Sequence, residues 1–332
     1  MISIILPFRN AISTLTACLS SISAQTFPHF EIIAIDDHSE DPSADLVTGF
    51  PDSRIRSVPN AGDGLVDALN TGLACARYPM IARMDADDLM RPRRLEIQFE
   101  FLQKNPDICL VASQVSLFPE CLLQKGYRHY IDWQNQVLTS EDIMNEIYVE
   151  SPLAHPSVMF RKHVVQEVGG YQNGDFPEDY ELWLRLLSRG YSIAKVPTVM
   201  LDWRESAGRT SRVDPRYSRF SFDKLRAAHL TRDPRLQTQR PLLIWGAGRK
   251  TRKRAKLTLQ KGIEAESWID IDPKKIGQLL DGIPVISPTD ILNMTEKPFI
   301  LIYVTNHGAR EEISEYLESA GFKKGLDYLA VG

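Results

Sequence analysis

The stretch Ile81-Ala-Arg-Met-Asp85-Ala-Asp87-Asp88 places a short apolar run directly before three carboxylates. The run predicts a buried strand, and because side chains alternate along a strand, Asp85 and Asp87 are expected on one side of its end. Like charges held so close repel each other unless a divalent cation such as Mg²⁺ or Mn²⁺ neutralises them and bridges them to phosphates. The stretch therefore predicts a metal site that holds a diphosphate. The alternative is a helix N-terminus, in which Asp88 caps a helix that starts near Pro92.

Length and composition indicate a globular chain with room for two hydrophobic cores. The chain has 332 residues, 43% of them hydrophobic and 25% charged, and it is longer than a typical single domain. A net charge of −4 gives no sequence-wide attraction for nucleic acid, which is therefore not an expected partner. The cysteines lack the paired spacing of metal ligands, which favours reduced thiols and a cytoplasmic protein. They are Cys18, Cys75, Cys109 and Cys121.

No apolar run reaches the length of a membrane span. Met1-Ile-Ser-Ile-Ile-Leu-Pro-Phe is apolar, but Arg9 ends it early, so it predicts a first strand rather than a membrane anchor. Any contact with a membrane, such as the inner membrane face, is expected to be peripheral.

Strands and helices are predicted to alternate along the first part of the chain, as in a mostly parallel sheet with helices on both faces. The periodicity predicts strands over 2–6, 30–35, 55–58 and 80–84, with helices over 13–25 and 64–76. Ligands of such sheets bind beyond the carboxyl ends of the strands. The residues at these ends are therefore expected to meet at one edge of the sheet: Pro7, Asp36, Asp37, Asn60, Asp85, Asp87 and Asp88.

The pattern after the acidic residues is less regular. It predicts helices over 92–104, 162–168 and 177–188, strands over 108–115 and 192–199, and an edge strand over 157–160. The segment 118–140 has no clear period, and its residues Tyr127, Tyr130 and Trp133 are expected either to line a binding groove or to pack in the core. The Arg-, Ser- and Gly-rich segment 204–212 is expected to be a mobile loop.

Residues 1–213 are predicted to form a first domain, 214–240 a helical linker, and 241–332 a smaller α/β domain that resembles Rossmann-like domains. In the last, a strand runs into a turn with Gly246 and Gly248, which are expected to bind a phosphate at the following helix N-terminus. Asp270 follows at about the spacing of the dinucleotide fingerprint, but Thr251 stands where that fingerprint has its third glycine.

The first two-thirds of the chain resembles family two of the inverting glycosyltransferases, which have the GT-A nucleotide-sugar-binding fold. The resemblance rests on the order and spacing of short segments and covers roughly residues 1–210. The segments are Ile4-Ile-Leu-Pro7-Phe-Arg-Asn10, Gln25-Thr26-Phe27, Ile35-Asp36-Asp37-His-Ser39, Asn60-Ala-Gly62, Ala68-Leu-Asn70-Thr-Gly72, Met84-Asp85-Ala-Asp87-Asp88, Pro92-Arg-Arg94-Leu95, His155-Pro-Ser157-Val-Met-Phe160-Arg161 and Glu178-Asp179-Tyr-Glu-Leu-Trp183.

The resemblance implies a role for individual residues. It makes Asp85 and Asp87 the ligands of Mn²⁺ or Mg²⁺ and Asp179 the catalytic base that deprotonates an acceptor hydroxyl. The residues that it assigns to the nucleotide, with uracil as the favoured base, are Pro7, Asp36, Asp37, Asn60, Asn70 and Asp85. Those that it assigns to the acceptor or the diphosphate are Glu178, Trp183, His155, Arg204 and Arg209.

Each of these roles has a structural alternative. Asp179 can stabilise the N-terminus of a helix, Trp183 can be buried in the core, and His155 can be purely structural. The family's common Arg-x-His is Arg204-Glu-Ser206 here, so a histidine ligand is missing from the closing loop. The loop arginines then either cover the diphosphate or face solvent.

The leading hypothesis is a metal-dependent inverting glycosyltransferase that moves a sugar from a nucleotide-diphosphate sugar, UDP being favoured, to a saccharide or lipid-linked saccharide, as in cell-surface polysaccharide synthesis. A second hypothesis makes the C-terminal domain an NAD-dependent sugar oxidoreductase or epimerase. A third makes the chain a nucleotide-sugar-binding protein without catalysis.

Overall fold

The computed structural model of the chain describes residues 1–120, 125–206, 209–306 and 308–332. Cys121 lies outside the described residues, as do Ala207 and Gly208 of the predicted loop. The chain divides into two compact units, one comprising Met1–Ile143 and Ser151–Tyr217, the other Met144–Glu150 and Ser218–Gly332. The segment predicted as a linker, 214–240, thus falls mostly within the second unit.

The first unit is built around one large sheet. Its strands are β1 (Ile2–Phe8), β2 (Phe30–Asp36), β3 (Ile55–Pro59), β4 (Met80–Arg83), β5 (Leu89–Met90), β6 (Ile108–Phe118), β7 (Met159–Arg161) and β8 (Ser192–Arg204). Its helices are α1 (Ile12–Ser23), α2 (Ser43–Gly49), α3 (Leu65–Cys75), α4 (Arg94–Lys104), α5 (Lys125–Gln136), α6 (Ser140–Glu146), α7 (Lys162–Glu167), α8 (Glu178–Ser188) and α9 (Thr210–Val213). Helix α6 ends in the segment assigned to the second unit.

The strand order in this sheet is β3-β2-β1-β4-β7-β6-β8-β5. Strands β1 to β4 are mutually parallel, whereas β7 runs antiparallel to both of its neighbours and β5 runs antiparallel to β8. The predicted mostly parallel sheet is therefore confirmed.

The apolar runs of the sequence become buried strands because both faces of the sheet are covered. All seven residues of β1 are buried, and Leu15, Cys18, Leu19 and Ile22 of α1 pack in the same hydrophobic core. Cys18 is a free thiol in this core. Near-continuous apolar strands are typical of such two-sided burial.

Two predictions for this unit are wrong. Strand β7 is internal, between β4 and β6, rather than at the edge. Its polar last residue, Arg161, does not require an edge position, because its guanidinium donates to the carbonyl of Leu102 at 2.8 Å. The segment predicted as irregular contains α5, in which Tyr127, Tyr130 and Trp133 recur at one-turn spacing and stack with ring centroids 5.8 and 5.9 Å apart.

The second unit is a smaller α/β structure around a six-stranded sheet of order β11-β12-β10-β9-β13-β14. Its strands are β9 (Leu242–Trp245), β10 (Ser267–Ile269), β11 (Leu279–Leu280), β12 (Ile283–Ile286), β13 (Phe299–Ile302) and β14 (Tyr328–Ala330). Its helices are α10 (Arg219–Leu230), α11 (Arg249–Leu259) and α12 (Ala309–Ser319). All strand pairs are parallel except β11–β12.

Among the described residues, no helix combines the length and the apolar character needed to cross a membrane.

Candidate active site

The carboxyl ends of the parallel strands lie side by side in the first unit. Phe8, the last residue of β1, pairs with Asp36 of β2, and Asp36 pairs with Pro59 at the end of β3. Arg83, the last residue of β4, is in register with Ile5 of β1. The residues that follow these strands therefore come together at one edge of the sheet, as the sequence predicted.

Asp37 is a buried carboxylate at this edge, held in a fixed orientation. Its Oδ1 accepts hydrogen bonds from the side-chain amide of Asn60 at 2.7 Å and from the Gly64 N–H at 2.9 Å. Its Oδ2 lies 3.9 Å from the Arg9 guanidinium. One oxygen of Asp37 is thus used to shape the loop, and the other faces Arg9 and is placed to accept a further donor.

Asp36 and Asn70 have structural partners. Asp36 Oδ1 accepts from the Ser39 N–H at 3.0 Å and so turns the chain after β2. The side-chain amide of Asn70 donates to the carbonyl of Tyr171 at 2.9 Å and accepts from the N–H of the same residue at 3.0 Å. Both polar atoms of Asn70 therefore tie α3 to the segment around Tyr171.

Asp85, Asp87 and Asp88 form the acidic cluster, in which the three carboxylates offer ligand atoms within 4.8 Å of one another. Burial, followed by the charge of Asp85, raises the pKa of Asp87 to about 6. Asp88 is fully buried, and its Oδ1 accepts from the Arg204 N–H at 2.7 Å. Its Oδ2 has no hydrogen-bond partner among the described residues. An unpartnered carboxylate oxygen inside such a cluster fits a hard divalent cation.

Two buried arginines to which the resemblance assigned no role support the cluster. Arg83 forms an ion pair with Asp85, and only 3% of its surface is exposed. Arg94 is completely buried and donates to the carbonyls of Arg83 at 2.9 Å and Val158 at 3.2 Å. The sequence spacing could have indicated the pairing of Arg83 with Asp85. Residues i and i+2 of an extended chain lie on the same face, and Asp85 is two residues after Arg83.

Asp179 is the second residue of α8, and its Oδ1 accepts from the N–H of Tyr180 at 2.6 Å. The side chain of Asp179 is partly exposed. Burial, followed by the negative charge of Glu178, raises the pKa of Asp179 to about 7. A carboxylate with a pKa near neutrality suits a general base.

Glu178 lies beside Asp179 in a closed hydrogen-bonded setting. Its Oε2 accepts from the hydroxyl of Tyr217 at 2.6 Å, and its Oε1 lies 3.7 Å from Nδ1 of His155. The other ring nitrogen of His155 lies 3.0 Å from the hydroxyl of Tyr171. Burial lowers the pKa of His155 well below its usual value, so the ring is neutral at pH 7. Tyr171 and Tyr217 were not found from the sequence, since nothing local marks a tyrosine whose partner lies far along the chain.

Trp183 is completely buried, and its ring packs edge-on against His155 with centroids 5.8 Å apart. A sugar cannot reach the face of a ring in this position. The burial favours the packing role of Trp183 over sugar stacking, and the same contact helps to fix the orientation of His155.

Arg83 links the acidic cluster to the base. Its positive charge acts on Asp87 and Asp85 on one side, and on Asp179, Glu178 and His155 on the other. The backbone contributes to this proximity, because the Arg83 N–H donates at 3.0 Å to Val158, which directly follows the His155–Ser157 turn. The structure therefore brings the predicted metal ligands and the predicted base into one region.

The end of β8 and the segment after it add two arginines near the acidic cluster. Arg204 donates to the carbonyl of Asp87 at 2.6 Å. Arg209 donates to the Tyr127 hydroxyl at 2.7 Å and lies over the Trp203 ring at 4.2 Å. The positive charge of Arg209 favours ionisation of Asp87 and Asp88. Both arginines thus direct positive charge toward the cluster.

In the second unit, the predicted glycine-rich turn joins β9 to α11. Gly246 has a φ of +116°, and an added Cβ would lie 2.7 Å from Thr251 Cγ2. Gly248 is the residue before the first turn of α11. Asp270 accepts from the Ala247 N–H at 3.0 Å and from Lys275 Nζ at 3.0 Å. Asp270 therefore fixes the turn, and a phosphate-binding role for Gly246 and Gly248 stays a prediction.

Residues 3–169, half of the chain, match the family described as glycosyl transferase family 2. The chain belongs to this family. Glycosyl transfer is accordingly its chemistry, and the family predicted from the sequence is confirmed. In this glycosyltransferase, a further segment, residues 238–325, matches the family described as C2185-like, N-terminal.

Relatives of this glycosyltransferase include two named bacterial enzymes. The amylovoran biosynthesis glycosyltransferase AmsE of Erwinia amylovora is 32% identical over 195 residues, which cover 57% of this chain and 70% of AmsE. The UDP-Gal:alpha-D-GlcNAc-diphosphoundecaprenol beta-1,3-galactosyltransferase of Escherichia coli is 34% identical over 143 residues, which cover 43% of this chain and 50% of that enzyme.

Solved structures support the fold of this glycosyltransferase. The S. aureus TarS fragment 1–349, solved with UDP-GlcNAc, superposes with a TM-score of 0.55 over 70% of this chain and 72% of the fragment. The sequence identity is 16%, so the likeness concerns the fold alone. It agrees with the predicted α/β architecture of the GT-A type.

Proposed function

We propose that this glycosyltransferase is metal-dependent and inverting, and that it transfers a sugar from UDP to a saccharide or lipid-linked saccharide during cell-surface polysaccharide synthesis. The observation that carries the proposal is the acidic cluster at the end of β4, linked through Arg83 to the high-pKa carboxylate of Asp179. The acidic cluster suits the binding of a metal ion with a diphosphate, and Asp179 suits proton abstraction.

The donor is assigned to the edge formed by β1, β2 and β3. Asp37 has one oxygen left beside Arg9, and a carboxylate there can accept the imide N–H of uracil. Pro7 and Asp36 bound the same edge, and Asn60 holds Asp37 in place. The names of relatives support this choice of donor, because the E. coli enzyme is described as using UDP-Gal and TarS was solved with UDP-GlcNAc.

The residues present fit a divalent metal ion. Asp85 and Asp87 supply carboxylate oxygens, and the buried Asp88 adds the unpartnered Oδ2. When bound, Mg²⁺ or Mn²⁺ would stabilise the negative charge of the departing diphosphate. Arg83 keeps Asp85 oriented, and Arg204 and Arg209 add positive charge on the same side.

Asp179 is proposed to remove the proton from the acceptor hydroxyl. The acceptor oxygen then bonds to the anomeric carbon while the bond from that carbon to the UDP oxygen breaks, and the proton remains on Asp179. A single displacement of this kind inverts the configuration at the anomeric carbon. The neutral His155 and the hydroxyl of Tyr217 keep Glu178, and with it the start of α8, in position.

The acceptor class is inferred from the relatives' described activities. AmsE is described by amylovoran biosynthesis, and the E. coli enzyme by an acceptor in which a sugar is linked to diphosphoundecaprenol. A saccharide or lipid-linked saccharide acceptor is therefore proposed, with the protein in the cytoplasm and in peripheral contact with the inner membrane face.

A thermal-shift screen tests the donor and the metal together. UDP-galactose, UDP-N-acetylglucosamine and GDP-mannose are compared with Mn²⁺ and with EDTA. We expect a UDP-sugar to raise the melting temperature only with Mn²⁺, since a ligand that binds the folded state alone stabilises it. The Asp87→Ala variant should lose this shift, and the exposed matched variant Asp45→Ala should keep it. A shift of equal size in EDTA would reject the metal-dependent donor site.

A further inference from the structure

The second unit contains a groove lined entirely by charged side chains. It lies beside α11 and the β11–β12 hairpin and has a volume of ≈ 380 Å³. Its lining residues are Arg249, Arg252, Lys253, Lys256 and Asp281. Four cations and one carboxylate give the groove an excess of positive charge.

Asp281 organises two of the four cations. It occupies the first position of the two-residue Asp281-Gly282 turn, where its φ of +55° is one that Asp and Asn tolerate well. Arg252 forms an ion pair with Oδ2 of Asp281, and Lys256 Nζ lies 2.7 Å from Oδ1. The carboxylate therefore holds these two cations at the wall of the groove and neutralises part of their charge.

The remaining cations of the groove are not compensated. Within the part of the chain that the structure describes, neither Arg249 nor Lys253 forms an ion pair, and both side chains are exposed. Arg249 and Lys253 are four residues apart on α11, and Lys253 and Lys256 are three apart. Like charges at these spacings destabilise a helix.

Helix α11 as a whole is unusually basic. Its sequence, Arg249-Lys-Thr-Arg-Lys-Arg-Ala-Lys-Leu-Thr-Leu259, contains six basic residues and no acidic residue. Mutual repulsion of this kind on a solvent-exposed helix face does not help the fold. Such local conflicts between sequence and stability are expected where a residue serves a function.

We propose that the groove formed by α11 and the β11–β12 hairpin binds a phosphate-type anion. Arg249 and Lys253 supply the free positive charge, and Arg252 and Lys256, held by Asp281, supply fixed donors. The ligand class is a small, multiply charged phosphate or diphosphate, either free in solution or as the head group of an anionic lipid. This site uses none of the residues assigned to the donor, the metal or the base.

Pyrophosphate binding to the full chain tests the site. The titration is done by calorimetry in EDTA, so that metal-dependent binding at the acidic cluster does not contribute. For the double variant Arg249→Gln, Lys253→Gln we expect about a hundredfold weaker binding, roughly tenfold for each charge-assisted contact removed. The control is Lys261→Gln, Lys274→Gln, which removes the same charge from exposed positions outside the groove and should bind like the wild type.

A third variant, Asp281→Asn, is expected to change the affinity for pyrophosphate in the opposite direction. Asp281→Asn removes the one negative charge of the groove while keeping a residue that tolerates the turn's φ, so it should bind pyrophosphate more tightly than the wild type. Circular dichroism and the melting temperature identify any variant that fails to fold. Weaker binding by a folded Asp281→Asn variant would overturn the proposal.

Vesicle sedimentation separates the two sources of the anion. The wild type and both double variants are mixed with vesicles of phosphatidylcholine alone or with one quarter phosphatidylglycerol. If the wild type binds the anionic vesicles and only the groove double variant loses this binding, the ligand is a lipid head group. If the groove double variant loses pyrophosphate binding but not vesicle binding, the ligand is a free phosphate compound. The proposal is overturned if neither probe binds the wild type, or if the groove and control variants lose binding equally. Donor transfer activity does not enter these readouts.

Discussion

Replacing Asp179 by asparagine is expected to abolish most of the transfer activity and, above pH 7, to stabilise the folded protein. The side-chain oxygen of the asparagine can still accept the Tyr180 N–H that Asp179 accepts at 2.6 Å, so the local structure should be kept. The variant cannot take a proton, and loss of a positioned base typically lowers the rate about a hundredfold to ten-thousandfold.

The gain in stability follows from the raised pKa. In the folded protein the pKa of Asp179 is about 7, against an ordinary value of 3.8. Between these two values the folded state holds a proton that the unfolded state has lost, so the free energy of unfolding decreases as the pH rises through this window. At 1.36 kcal/mol per pH unit, the shifted pKa of Asp179 lowers the free energy of unfolding above pH 7 by at most about 4 kcal/mol. Because water reaches the partly exposed side chain, we expect roughly 1–2 kcal/mol.

Urea denaturation at pH 5 and pH 8 measures this effect in the wild type, Asp179→Asn and the control Asp175→Asn, which changes an exposed residue just before α8. The Asp179→Asn variant should unfold at higher urea concentration than the wild type at pH 8, and the difference should shrink toward pH 5. The control should match the wild type. Equal stability of all three proteins at pH 8, or near wild-type transfer by Asp179→Asn, would refute the assignment of Asp179 as a high-pKa base.

Three further predictions concern neighbouring groups. The pKa of Asp87 is about 6, and a metal ligand must be deprotonated. Mn²⁺ affinity, measured by calorimetry, should therefore fall as the pH drops below about 6, and the Asp87→Ala variant should lose most of that affinity at pH 7.5. Unchanged Mn²⁺ affinity in this variant would contradict the assignment of Asp87 as a metal ligand. Glu178→Gln removes a negative charge that raises the pKa of Asp179. The acidic limb of the pH–rate profile for sugar transfer should therefore move to lower pH. A move to higher pH would contradict the electrostatic effect of Glu178 on Asp179. Arg94→Met leaves the two carbonyls that Arg94 binds without their donor and should lower the free energy of unfolding by about 2–4 kcal/mol. The control Arg93→Met, at an exposed position, should change the free energy of unfolding little. Similar losses of stability in both variants would exclude a special role for the buried guanidinium of Arg94.

The sequence by itself determined the alternation of strands and helices in the first unit and the edge at which its polar residues meet. The reason is local: apolar runs of strand length, each followed by polar residues, specify both the element and its end. Parallel pairing of those strands then brings Asp37, Asn60 and Asp85 to one edge without further information. The fold and the family could be predicted for this reason.

Only the tertiary structure decided which groups act on one another. The electrostatic effect of Arg83 on Asp179 and the hydrogen bonds between Tyr217 and Glu178 and between Asn70 and Tyr171 join residues far apart in the chain. Burial also depends on the complete packing, and it makes His155 neutral and excludes Trp183 from sugar stacking. Charge, exposure and pKa depend on everything that surrounds a side chain in three dimensions, and no local sequence pattern contains that information.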